Sequence, residues 1–166
     1  MPNLGLASIA AGVDKENEVF IIDLIRKRRQ IRRYLTRRLL KIQPDLVGFS
    51  SMTWQYATCV KLIKLIKTLL PRTKVVVGGY HATLMYEEIS ARPEARWIDF
   101  LIRGEGEEAF KRLVRALEER DLFQDIPSLS HKKYCEFVHN PKGELLNLSL
   151  LKLPVRDKRQ IGRAHV

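Results

Sequence analysis

Apolar runs of strand length alternate with stretches of helical periodicity along this chain, and that alternation constrains its fold more than any other feature. Leu46-Val47-Gly48-Phe49-Ser50 and Lys74-Val75-Val76-Val77-Gly78 read as strands, as does Trp97 to Arg103. Glu18-Val19-Phe20-Ile21-Ile22-Asp23, a brief apolar run bounded by charges, is predicted as one more, buried. Leu4, Leu6, Ile9, Ala10 and Val13 recur at helical spacing, predicting a short first helix ending near Lys15. Ile31, Tyr34, Leu35, Leu39 and Ile42 make the apolar stripe of the next helix, which Pro44-Asp45 stops. A helix capped by Thr53 is predicted to bury Val60, Ile63, Ile66 and Leu70 while Lys61, Lys64 and Lys67 face water. Shorter helices follow over Thr83 to Ser90 and Glu107 to Glu119, the latter with Phe110, Leu113, Val114 and Leu117 inward. Strands alternating with helices imply an α/β fold, a parallel sheet with helices on both faces.

After Asp121 the pattern changes. Ser128 to His131 and Glu136 to His139 read as a C-terminal β-hairpin turned by Pro141-Lys142-Gly143, and Leu145 to Asp157 as an irregular linker. The 166 residues suffice for one domain with a proper core. No apolar run is long enough for a transmembrane helix, and the N-terminus lacks the pattern of a signal peptide. Cys59 and Cys135 stand far apart without CxxC spacing, which excludes a disulfide framework, a paired-cysteine zinc site and a cysteine-ligated iron–sulfur cluster within this chain. The expectation is a cytoplasmic protein with two unpaired thiols. The net charge of +11 is localised: Arg26 to Lys41 holds nine basic residues and no acid, leaving +2 for the remainder.

In open α/β sheets ligands lie beyond the carboxyl ends of the strands. Three such ends carry small or flexible residues: Ser50-Ser51-Met52-Thr53, Gly78-Gly79-Tyr80-His81-Ala82-Thr83 and Gly104-Glu105-Gly106-Glu107-Glu108. Glycine lets a backbone approach a ligand closely, and hydroxyls bond amides or phosphate. Each loop has a plainer reading. A glycine pair is often a tight turn, Ser50-Ser51 caps a helix in many proteins, and a lone histidine such as His81 is commonly a satisfied surface residue. Three loops in register point instead to a cofactor platform. Gly104 to Ala109 fits GxGxxA, but Glu105, Glu107 and Glu108 would repel a pyrophosphate at that helix N-terminus, so a nicotinamide dinucleotide is excluded. A phosphoacceptor receiver is excluded as well, because the strand end where its acid belongs is Ser50.

Asn3 to Ala11, Pro44 to Thr53, Gly78-Gly79-Tyr80-His81-Ala82 and Arg103 to Glu108, in this order and spacing, resemble the cobalamin (vitamin B12)-binding domain that precedes the barrel of cobalamin-dependent radical SAM enzymes. Asp125 to Ser130 and Leu151 to Asp157 resemble that family's hairpin and its linker to the barrel. The resemblance implies a Rossmann-like, flavodoxin-like domain over residues 1–124 and a hairpin and linker over 125–160. Cobalamin would lie over the strand ends. Ser50, Ser51, Met52 and Thr53 would meet its nucleotide tail, and Gly78 and Gly79 would give the tail room. Tyr80, His81 and Ala82, with Gly104, Glu105 and Gly106, would border the corrin. In the parent enzyme a C-terminal radical SAM barrel would add a 4Fe-4S cluster and S-adenosylmethionine, with methyl transfer or related radical chemistry. This chain carries no CxxxCxxC motif and by itself would catalyse nothing.

The sequence departs from the family in three places. No DxHxxG motif supplies an axial histidine, so His81 is expected beside the corrin rather than on the cobalt. The family's first strand would precede Asn3, so an N-terminally truncated domain is expected, with Val19 to Asp23 either left without its neighbour or paired directly with Leu46 to Ser50. The last six residues, Ile161 to Val166, resemble a translated sequencing adapter and are expected to lie outside the fold. The alternative function is a nucleic-acid-binding module using the basic stretch. Tyr34 is the one aromatic there, too little for a stacking platform, and a solvated helix face explains the charge equally well. No membrane partner is expected.

Overall fold

Val75 and Val77 project from one face of a strand and Val76 from the other, and all three are buried, as a strand with cover on both sides requires. The computed structural model describes residues 4–13, 17–24, 29–119, 122–144 and 153–154. β1 (Leu46–Ser50), β2 (Lys74–Gly78) and β3 (Phe100–Ile102) are parallel, in register Val47 to Val75 and Val76 to Phe100. β4 (Leu129–Lys133) and β5 (Glu136–His139) add antiparallel to the β3 edge, giving the order β1-β2-β3-β4-β5. The hairpin thus extends the same sheet. Its turn is Tyr134-Cys135, with Tyr134 at φ 60°, not Pro141 to Gly143, which instead fold back onto Ser128.

One face is covered by α2 (Ile31–Ile42), α3 (Tyr56–Leu69), α4 (Tyr80–Leu84) and α5 (Tyr86–Ala91); Leu35, Leu39, Ile63, Ile66 and Ile89 fill it. The other is covered by α6 (Glu107–Glu119), which buries Ala109, Leu113 and Ala116, with α1 (Leu4–Val13) packed on it. The buried face of α1 is Ala7, Ala10, Ala11 and Val13, while Leu4 is exposed; small side chains let two helices approach closely.

Several expectations are corrected. Glu18 to Asp23 is not a strand but irregular chain with one isolated bridge at Ile21; Ile22 and Leu24 pack against the first core, so burial without a ladder accounts for the apolar run. The strand expected from Trp97 begins only at Phe100, because Pro93 opens a 3-10 turn through Trp97. The helix expected over Thr83 to Ser90 is two short helices broken at Met85. Thr53 opens a 3-10 turn ahead of α3 rather than capping it. The linker over Leu145 to Asp157, Leu153 and Pro154 aside, lies outside the described residues, as do Lys15, Arg26 to Arg28 and Ile161 to Val166.

Charge follows two patterns. Arg32, Arg33, Arg37 and Lys41 lie exposed along α2, with Arg29 exposed just ahead of it, and they form no ion pair among the described residues, as a solvated face would. Lys67 does not face water. Its side chain is 12% exposed, and its Nζ donates to Asp99 Oδ2 at 2.5 Å and to the Thr73 carbonyl at 2.8 Å. Asp99 Oδ2 also accepts the Val75 N–H at 2.8 Å, so one carboxylate ties α3 to the start of β2 and the approach to β3. Removing it leaves an ammonium and an amide under-satisfied together. Asp99→Ala is expected to lower stability by about 2 kcal/mol in urea denaturation, and Lys61→Ala, on an exposed face, by less than about 0.5 kcal/mol.

Candidate functional site

Because β1, β2 and β3 are parallel, the three loops singled out in the sequence lie at one end of the sheet. The first two interlock. The Ser51 N–H donates to the Gly78 carbonyl and the His81 N–H to the Ser51 carbonyl, both at 3.1 Å, carrying the β1–β2 ladder into the loops. Gly79 sits inside this junction at φ 90°, where an added Cβ would lie 2.9 Å from both Ser50 Oγ and the Ser51 nitrogen. On the side where a Cβ would stand, Gly79 therefore meets the neighbouring loop. Gly78 differs: its φ is ordinary, and a Cβ there would make only van der Waals contact with Ile102.

On the second sheet face, Gly48 and Ser50 are exposed and Gly78 half-buried, with Ser50 opposite Gly78 in the ladder. Gly48 lies against Val76 and the Phe110 ring, and Gly78 against Ile102. Gly48, Ser50 and Gly78 thus leave a trough of small residues bordered by Val76, Phe110 and Ile102. Gly106 is tightly packed: a Cβ there would come within 3.4 Å of Ile9 on α1 and Ile102 on β3. Gly104, at φ 68°, has open space around it, and Glu105 beside it is exposed. Sequence reasoning missed Gly48, although a glycine inside a strand is itself a signal of close approach.

The first face is different beneath these loops. His81 and Ala82 are buried, and Ala82 belongs to the core rather than to the open rim. The His81 ring packs 4.3 Å from that of Tyr56, and its Nδ1 lies 3.3 Å from Thr53 Oγ1. His81 is thus a core histidine, neither the surface residue of the plainer reading nor a group projecting from the rim. Burial, then the Arg92 charge, holds its pKa below 6.5, with Glu88 opposing. Burial, with Glu94 and Cys59 adding, pushes the Tyr56 phenol up to about 12, and burial pushes the Cys59 thiol likewise to about 12. Neither is a nucleophile at neutral pH. Ser51 is 4% exposed, and its hydroxyl finds no partner among the described residues. Met52, Trp54 and Tyr80 stand out from the rim, Trp54 at 75% exposure. Trp54 was not among the residues picked from the sequence; an indole beside a row of hydroxyls was the available clue.

A family model for the B12 binding domain matches residues 1–114. The chain belongs to this family. An uncharacterized methyltransferase of Pyrococcus horikoshii is 32% identical over 157 residues, covering 94% of this chain and 34% of that protein. The cobalamin-dependent radical SAM methyltransferase TokK of Streptomyces tokunonensis is 30% identical over 111 residues, 63% of this chain and 15% of that protein. The fold matches the cobalamin-dependent radical enzyme OxsB, solved with aqua-cobalamin and S-adenosylmethionine, at a TM-score of 0.77 and 20% identity, over 92% of this chain and 21% of that one. It also matches the methyltransferase TsrM of Kitasatospora setae at 0.74 and 21%, over 85% and 27%. The B12-binding domain is thus similar to those of cobalamin-dependent radical SAM methyltransferases, and the chain spans about a third or less of these relatives. They give the nucleic-acid alternative no support.

Two measurements follow from the interlocked loops and the buried histidine. Gly79→Ala is expected to cost at least about 2 kcal/mol, since φ and space both forbid a side chain, and Gly104→Ala only about 1 kcal/mol. Because burial lowers the pKa of His81 and also of His139, the unfolded chain takes up protons first as pH falls through 6.5. Stability is therefore lost below neutrality, down to the depressed folded-state values. Urea midpoints at pH 7 and 5 should show this drop, and His81→Asn with His139→Asn should flatten it.

Proposed function

We propose that this chain holds cobalamin at the strand-end rim, as the cofactor module of a radical SAM enzyme. The observation that carries the proposal is the trough over Gly48, Ser50 and Gly78, small on its floor and apolar on its walls, beside a buried Ser51 hydroxyl without a partner. A flat heterocycle on a phosphodiester tail needs this combination of a narrow apolar slot and hydroxyl donors. Ser50, Ser51, Met52 and Thr53 would hold the tail, with Gly78 as its floor. Tyr80 and the Gly104-Glu105-Gly106 loop would border the corrin, Trp54 joining them from the other side. His81 and Ala82 would act from beneath, by shaping the loop that carries Tyr80.

Bound cobalamin supplies a cobalt centre able to carry a methyl group or exchange single electrons. What this chain contributes is binding and orientation. In the parent protein, a C-terminal barrel with a 4Fe-4S cluster and S-adenosylmethionine would perform the chemistry, methyl transfer or a related radical reaction, in the cytoplasm, where the two thiols stay reduced. The barrel joined in the same chain is the partner this reading implies.

Hydroxocobalamin titration followed by visible absorbance tests the reading. The chain should bind, and Gly78→Leu, which fills the trough from a position with ordinary φ, should weaken binding at least about tenfold with little change in the urea midpoint. Binding by the wild type that Gly78→Leu leaves unchanged would put the tail elsewhere. The spectrum of bound cobalamin should be the same in His81→Asn, since His81 is packed against Tyr56 in the core.

A further inference from the structure

The second and third rim loops share one hydroxyl. Thr83 Oγ1, on α4, donates to the Gly79 carbonyl at 2.9 Å and accepts the Gly104 N–H at 2.9 Å. The first bond is the ordinary back-bond of a helical threonine, and the Gly79 carbonyl also accepts the Thr83 N–H at 3.0 Å. The second is not local. It joins residues 21 positions apart, and it lands on the glycine whose left-handed backbone meets no packed neighbour within 4 Å of a built Cβ. A side chain there would meet no packed neighbour, and two bonds anchor the loop: the Thr83 hydroxyl accepts from Gly104 itself, and the preceding Arg103 N–H donates to the Ser128 carbonyl at 3.1 Å.

The geometry points to Thr83 as a positioning residue for cofactor binding, one hydroxyl that sets the spacing between the Gly79 and Gly104 loops. The inference rests on the cobalamin reading of the rim. The donor direction is fixed, because the hydroxyl hydrogen is committed to Gly79, leaving its lone pairs for the Gly104 amide. A methyl in its place keeps the helix and its packing and removes only the link. Glycine without the link regains the conformational freedom that the folded loop gave up, and a ligand seated against that loop must order it again on binding.

The test compares Thr83→Val and Thr83→Ser with the wild type by amide hydrogen exchange and by hydroxocobalamin titration. The Gly104 amide should be protected in wild type and Thr83→Ser and exchange faster in Thr83→Val. Cobalamin affinity should fall about tenfold in Thr83→Val and return in Thr83→Ser, with the same urea midpoints in all three. An unprotected Gly104 amide in the wild type would overturn the clamp, and so would equal affinity across all three despite protection. Failure of the wild type itself to bind, with Gly104 protected, would overturn the cobalamin reading and this role with it.

Discussion

The close approach of the first two strand-end loops is the constraint on which the rest of the rim depends. Ser51 and His81 continue the β1–β2 ladder beyond the last strand residues, and the backbones meet so tightly that Gly79 has no space for even one carbon. Two consequences follow from that single contact. Ser51 and His81 are buried at the junction, the His81 ring packing on Tyr56 with its Nδ1 near Thr53 Oγ1. Ser50, one residue earlier in the alternating strand, is left on the opposite face, in the open. The interlock thus buries one of two adjacent serines and leaves the other exposed.

The same sorting explains why the two faces of the sheet differ. The first is filled by large aliphatic side chains from α2, α3 and α5. On the second, β1 offers Gly48 and Ser50 where β2 offers Val76, so the cover given by α6 thins out over the β1 edge. Small residues in a strand weaken a sheet unless their absent side chains are used by something else. At Gly48 the Phe110 ring uses part of that space; above it, toward Gly78, the trough remains.

Much of this was legible in the sequence. The parallel strands at Leu46–Ser50 and Lys74–Gly78 and the helix at Glu107–Glu119 were readable because burial on two faces or one writes a distinct period into each. Glu18 to Asp23 misled because a short apolar run looks the same whether it pairs or merely packs, and Ile22 and Leu24 only pack. Lys67 misled for a related reason: its neighbours Lys61 and Lys64 share its type, and only the long-range partner Asp99 sets it apart. At the site, the three loops were visible as glycine and hydroxyl clusters. What each glycine was for was not, since Gly79 answers to a backbone, Gly106 to Ile9, and Gly104 to a distant hydroxyl on its N–H with open space where a side chain would stand.

The hairpin completes the account of the third loop. Ser128, at φ 61°, accepts the Arg103 N–H on its carbonyl and the Gly143 N–H on its hydroxyl, and its own N–H donates to the Pro141 carbonyl. Asn140 is buried; its side-chain amide donates to the Phe123 and Ile126 carbonyls, and the Arg103 guanidinium donates to its backbone carbonyl. The two Arg103 bonds tie this knot to the C-terminal end of β3, and the other four tie the segments around β4 and β5 to one another. The Gly104 loop is therefore held from the β2 side by one hydroxyl and from the hairpin side by a buried polar knot. The two sides thus differ in how many bonds hold them and in how far those bonds are buried. The chain at Gly143 is thus pinned to Ser128, at the same end of the sheet as the rim.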